Sequence, residues 1–127
     1  MSLMVVEDRS TDMARCGAAL ARLGFKGAKI FNNASSALGH LQLILEEKAS
    51  LPEAIVLDLD LPFGSGHEIL RFCRANPPLR AIPIVVWTSL EDQIQKDICL
   101  YMGANAYVNK DRMEDLKTAI RSAIRSH

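Results

Sequence analysis

Hydrophobic positions along the chain fall into two patterns that alternate with each other. Leu3–Val6, Ala28–Phe31, residues 54–57, residues 82–87 and Ala106–Asn109 are short runs, mostly apolar. They have the length of strands, and a run that is apolar at every position suits a strand covered on both faces of a parallel sheet. Between the runs, apolar residues recur at helical spacing. Met13, Cys16, Leu20 and Leu23 form one stripe, and Ala34, Ala37, Leu38, Leu41, Ile44 and Leu45 form a second. Ile69, Leu70 and Cys73 form the third, Ile94, Ile98 and Tyr101 the fourth, and Leu116, Ile120 and Ile124 the last.

Polar and breaking residues punctuate the pattern where each element should stop. Ser10 and Asn33 are placed to cap the first two helices. Gly24 ends the first, and Ser50-Leu51-Pro52 breaks the second. Ser65 with Glu68 has the form of a capping box, as does the pair Ser89 and Asp92. Asn76-Pro77-Pro78 stops the third helix, Gly103 closes the fourth, and Asp111 with Glu114 opens the fifth. Pro83 is tolerable only near the start of its strand. Five strand-then-helix repeats predict an α/β fold: a five-stranded parallel sheet with helices on both faces, joined by right-handed crossovers. The pattern fills residues 1–127 as a single expected domain.

Composition narrows the function. Of 127 residues, 49% are hydrophobic and 24% charged, an ordinary globular balance. Fifteen basic and fifteen acidic residues leave no formal net charge, whereas nucleic acid and anionic membrane both select a basic excess. No apolar run approaches the length of a bilayer span. Cys16, Cys73 and Cys99 match no metal-binding spacing and sit within helical patterns, so they read as reduced, buried thiols. His40, His67 and His127 have no ligand spacing either. The expected compartment is the cytoplasm.

The chemistry lies just after the strands. The run Ile55-Val56-Leu57 ends in Asp58, with Asp60 and Pro62 beyond it. Strand one ends in Glu7-Asp8, strand four in Thr88, strand five in Lys110. In an open parallel sheet these groups share the carboxyl edge, where ligands gather. Clustered carboxylates repel one another, and a hard divalent cation such as Mg²⁺ relieves that repulsion. A lysine adds a compact positive charge suited to phosphate oxygens, and a threonine hydroxyl can donate to one of them. Together they are equipment for transferring a phosphoryl group to Asp58.

Val5-Val6-Glu7-Asp8, residues 56–62 (Val-Leu-Asp-Leu-Asp-Leu-Pro), residues 82–89 (Ile-Pro-Ile-Val-Val-Trp-Thr-Ser) and Tyr107-Val108-Asn109-Lys110 carry a family resemblance. In this order and spacing they resemble the receiver domain of two-component response regulators, over nearly the whole chain. The resemblance implies a flavodoxin-like (βα)5 fold and phosphorylation of Asp58 by a sensor histidine kinase or histidine phosphotransfer protein. It implies Mg²⁺ held by Glu7, Asp8, the Asp58 carboxylate and the backbone carbonyl of Asp60. Thr88 would bind the phosphoryl group, and Lys110 would pair first with Asp58 and then with the phosphate. Thr88 and Tyr107 would form a switch that alters the surface of the fourth and fifth helices and fifth strand. Such a protein is a signalling receiver with no turnover of external substrates. A homodimer is compatible with it, and the downstream partner is left unnamed.

Two positions depart from that family. Asp111 stands where a proline usually follows the lysine; without it the expected peptide bond is trans, in a rearranged loop. Asp60 is an extra carboxylate expected to alter the lifetime of a phosphorylated form. Two other readings compete. Asp58-Leu59-Asp60 resembles the nucleophile and acid/base pair of haloacid-dehalogenase-type phosphatases, although that family places the pair after its first strand. A receiver-like binding module independent of phosphorylation is the third reading, kept open by Asp111.

Overall fold

The computed structural model describes residues 2–25 and 27–125, so His127 lies outside them. Five strands form one sheet: β1 (Leu3–Val6), β2 (Ala28–Phe31), β3 (Ile55–Leu57), β4 (Ile84–Thr88) and β5 (Ala106–Asn109). All neighbours are parallel, in the order β2-β1-β3-β4-β5. The helices are α1 (Ser10–Arg22), α2 (Ala34–Leu45), α3 (Gly66–Ala75), α4 (Gln93–Tyr101) and α5 (Met113–Arg125). A 3-10 turn at Pro77–Leu79 follows α3. This is the parallel sheet that the alternating pattern predicts, in the flavodoxin-like arrangement that the resemblance implies.

Alternation along the strands divides the core in two. Met4, Val6, Ile55, Leu57, Ile84 and Val86 face α2 and α3, together with Cys99 of α4. Leu3, Val5, Val56, Val85 and Trp87 point the other way, against Cys16 and Leu20 of α1 and Leu116 and Ile120 of α5. Because side chains alternate with a period of two, a run apolar at every position serves both layers. Chain order makes β1 and β3 adjacent while their helices depart to opposite faces. That reversal opens a crevice at the carboxyl ends of β1 and β3.

Several end signals act differently from expectation. Arg9, not Ser10, is the N-cap of α1, and no side chain caps it; Ser10 is already helical. Ser65 occupies the N-cap of α3 but makes no capping bond, so the Ser65–Glu68 box does not form. Asp92 alone caps α4, accepting from Ile94 N at 2.9 Å, and Ser89 takes no part. Asn33 caps α2 as expected, accepting from Ser36 N at 2.8 Å. Gly24 closes α1 with φ +91°, and Phe25 N returns to Leu20 O at 3.0 Å, so the left-handed residue completes the helix end. β4 begins at Ile84, after Pro83, because the proline has no N–H for the ladder. α5 begins at Met113, beyond Asp111.

The fourth stripe is the largest correction. Ile94 is 70% exposed and Tyr101 94%, with Ile98 also exposed; Cys99 is the residue of α4 that the core buries. Among the described residues no helix is long and apolar enough to cross a membrane. All three cysteines are buried thiols. Burial pushes Cys16 up to about 12 and Cys73 to about 11, so neither is a thiolate at neutral pH.

Candidate functional site

Glu7 and Asp8 follow β1, Asp58 follows β3, Thr88 ends β4 and Lys110 follows β5. The ladder continues past the strands and fixes their backbones: Glu7 N donates to Phe31 O at 3.0 Å, Asp58 N to Val6 O at 3.0 Å, and Lys110 N to Thr88 O at 2.9 Å. Side chains from four separate segments are thereby set by sheet register. A pocket of about 280 Å³ at this edge is lined by Asp8, Asp58, Asp60, Thr88 and Lys110. Glu7 lies beneath it, 1% exposed.

Lys110 organises the charge. Its Nζ stands 2.5 Å from Glu7 Oε2, 2.9 Å from Asp12 Oδ2 and 3.1 Å from Asp58 Oδ2. It also lies 5.2 Å from the centroid of the buried Trp87 ring, a cation–π contact. Burial alone would lower the lysine's pKa, but the bonds to Glu7 and Asp12 and the Asp58 charge outweigh it and hold it raised. Glu7 is raised, by burial first and by the Asp58 charge, against the pull of Lys110 and the Arg9 N–H. Asp12 ends lowered: burial opposes this, but Lys110 and Arg15 prevail.

Asp12 was missed in the sequence. It is 8% exposed and joined to Arg15, whose Nη1 lies 3.1 Å from Asp12 Oδ1. Arg15 Nη2 also donates to the Lys110 carbonyl. The available signal was its phase: Asp12 lies four residues before Cys16, on the face of α1 that Cys16 buries. A carboxylate on the inward face of an amphipathic helix needs a partner. Gly66, the first residue of α3, carries no side chain to signal its part in the site. A Cβ there would sit 2.3 Å from Asp58 O and 2.8 Å from Leu59 Cα, so α3 packs directly on the Asp58 backbone.

Thr88 and Tyr107 meet at one residue, Leu90. Thr88 Oγ1 accepts from Leu90 N at 3.2 Å, and Tyr107 Oη donates to Leu90 O at 2.9 Å. Tyr107 is not in the acidic pocket; it lines a neighbouring cleft with Leu90, Lys96 and Arg112. Asp60 is exposed at the pocket rim, and its N–H lies 3.4 Å from Asp58 Oδ1. The loop after Lys110 is trans throughout, as no described peptide bond is cis. Asp111 N donates to Asn109 Oδ1 at 2.8 Å, a bond that a proline at this position would lack.

The donor set fits a hard divalent cation. Glu7, Asp8 and Asp58 each offer a carboxylate oxygen, all within 4.8 Å of one another. Glu7 Oε2 is buried, and its partner is the Lys110 ammonium. An all-oxygen site open to solvent on the Asp8 side suits Mg²⁺, which keeps several waters.

Such a fold, with an acidic pocket at the carboxyl edge of its sheet, is that of a receiver domain, and comparison with known proteins agrees. The family model of the response regulator receiver domain matches residues 3–121. The probable methanogenesis regulatory protein FilR2 of Methanothrix harundinacea is 34% identical over 122 residues, covering 93% of this chain and 77% of FilR2. A response regulator receiver domain from Rhodospirillum rubrum superposes with TM-score 0.79 at 27% identity, covering 98% and 91% of the two chains. The Mn²⁺-bound form of response regulator Rcp1 superposes with TM-score 0.74 at 26% identity, covering 95% and 89%. Of several other curated relatives the chain spans only 36–50% of the length. The chain belongs to the response regulator receiver domain family of two-component signalling. Receiver domains are signalling modules that take phosphoryl groups from histidine kinases.

Proposed function

We propose that residues 1–127 act as one phosphorylatable receiver, with Asp58 accepting a phosphoryl group from the phosphohistidine of a sensor histidine kinase or histidine phosphotransfer protein. The observation that carries this reading is the Lys110 ammonium 3.1 Å from the Asp58 carboxylate, in a pocket that Asp8 and Thr88 also line. One Asp58 oxygen attacks phosphorus; the O–P bond forms as the N–P bond breaks, and the donor imidazole leaves with the electron pair and is protonated. Lys110 stays charged and moves its contact from the Asp58 oxygen to a phosphoryl oxygen. Glu7, Asp8 and Asp58, with the Asp60 carbonyl, would hold Mg²⁺, which would supply positive charge for phosphoryl oxygens.

Thr88 can donate its hydroxyl proton to a phosphoryl oxygen, while its oxygen already accepts from Leu90 N. A shift of Thr88 toward phosphate therefore pulls on the Leu90 N–H, and Tyr107 holds the carbonyl of the same residue. That linkage supports a switch in which phosphate biases one of two arrangements of the segment leading into α4. The test is incubation with Mg²⁺ and acetyl phosphate, read by intact mass. One phosphoryl group on the wild type and none on Asp58→Asn is expected. Label retained by Asp58→Asn, or multiple turnover of a generic phosphate ester, would overturn the reading.

A further inference from the structure

Lys110 has three N–H donors and three carboxylate partners: Glu7, Asp12 and Asp58. Two of these partners, Glu7 and Asp58, also belong to the trio of oxygens able to hold a cation. A divalent cation there competes with the lysine for the same oxygens. Asp12 lies outside the trio, and its two oxygens are divided: Oδ2 faces Lys110 and Oδ1 faces Arg15. Arg15 in turn donates to the Lys110 carbonyl, so the first turns of α1 grip both the head and the backbone of this lysine.

We infer that Asp12 and Arg15 are positioning residues for Lys110, with Asp12 keeping the ammonium in place when Glu7 and Asp58 are drawn to a metal. The inference rests on the receiver chemistry proposed above. Charge supports it. Glu7, Asp8, Asp12 and Asp58 set against Lys110 and Arg15 leave two negative charges, the number that one divalent cation cancels. Arg9 and Asp60, at the rim, offset each other. Without Asp12, a buried lysine losing Glu7 and Asp58 to metal would stand uncompensated, which is costly. It would therefore cling to those two oxygens and oppose the cation. Arg15 has the opposite electrostatic sign, and its contribution is to fix the Lys110 carbonyl in a loop that has no proline after the lysine.

Removing the two side chains therefore has effects of different sign on metal binding. Asp12→Asn keeps the shape and one acceptor while removing a charge beside the site. It should weaken Mg²⁺ binding about five- to tenfold, as expected for losing one nearby charge in a partly screened pocket. Arg15→Gln should bind Mg²⁺ at least as tightly as the wild type. Both should be phosphorylated more slowly by acetyl phosphate at saturating Mg²⁺, because Lys110 is less well held. The titration uses magnesium chloride, read by calorimetry and by fluorescence of Trp87, the chain's one tryptophan, which lies 5.2 Å from Lys110 Nζ. Thermal melts verify that each variant is folded at the titration temperature. Equal Mg²⁺ affinity for wild type and Asp12→Asn overturns the inference, as does an equal loss in both variants, which signals general loosening. A wild type that neither binds Mg²⁺ nor takes phosphate overturns the proposed function itself, separately from this inference.

Discussion

Replacing Lys110 with methionine isolates what the buried ammonium does for the fold. The apolar stem is largely retained; the charge, which lies over Trp87, is lost. Glu7, Asp12 and Asp58, all under 10% exposed, then face one another without their shared cation. Breaking a buried ion pair by removing one partner costs about 3–5 kcal/mol. Arg15 still compensates Asp12, and Glu7 can take a proton, since its carboxyl is already raised by burial. The lower end, about 3 kcal/mol, is therefore expected, out of the roughly 5–15 kcal/mol typical of a domain. In a chain of this length that is about 10 °C in Tm.

The dependence on pH and metal gives the experiment its discrimination. In the wild type the raised Lys110 pKa contributes stability that is present below the ordinary lysine value and lost as pH rises through the folded one. In Lys110→Met the raised Glu7 carboxyl loses the cation that opposed its rise, so stability falls as pH rises through the folded Glu7 value. The deficit should be largest near neutrality and shrink on acidification. Mg²⁺ should restore part of it, because a ligand bound only by the folded state stabilises by mass action. Urea denaturation at pH 7 and pH 5, in chelator and in excess Mg²⁺, checks all three effects. A deficit at pH 7 below about 1 kcal/mol, the size of an exposed ion pair, would refute the view that this network is a buried one.

Gly66→Ala should cost about 1–3 kcal/mol by overpacking, since the new methyl meets the Asp58 and Leu59 backbone; it should also slow labelling of Asp58, and unchanged labelling would show the loop to be pliant. Arg74 donates to Gly103 O at 3.0 Å, Arg80 O at 2.9 Å, Ile82 O at 2.9 Å and Asn105 Oδ1 at 3.2 Å. Arg74→Ala should lose about 2–4 kcal/mol in a urea titration with acetyl phosphate labelling preserved, because these bonds lie at the opposite end of the sheet from Asp58. Asp60→Asn removes an exposed carboxylate from the pocket rim; the phosphorylated form should decay more slowly, and an unchanged decay rate on a mass time course would remove any part for Asp60.

How much of the site was legible depended on where each residue sits. Asp58, Glu7, Asp8, Thr88 and Lys110 follow apolar runs, and a strand end is easy to place when the run is short and bounded. Parallel pairing then brings the ends together whatever the loops do. Asp12 was harder because it lies inside a helix, where a polar residue is usually on the wet face. Only its phase with Cys16 betrays it. Gly66 carries no side-chain signal at all; its requirement comes from the approach of a second backbone, which exists only in the fold. The caps at Ser10 and Ser89 went astray for a related reason, since several polar residues precede each of these helices and local pattern cannot choose among them; Ser65 holds the N-cap position of α3, but its side chain makes no capping bond.

The α4 stripe went astray on physics of a different kind. Ile94, Ile98 and Tyr101 have helical spacing, and the helix exists, but spacing fixes only that the residues share a face, not that the face meets the core. Cys99 supplies the buried contact instead, leaving α4 with one fully buried side chain where α2 has four. A helix so lightly anchored is held largely through its ends. At its leading end, Leu90 is bound through its N–H by Thr88 and through its carbonyl by Tyr107. The least embedded helix of the fold is thus tied to the strand end that reaches the acidic pocket. A rearrangement at Thr88 has less packing to overcome there than at α2, which is the physical condition for a small event at the site to move a surface.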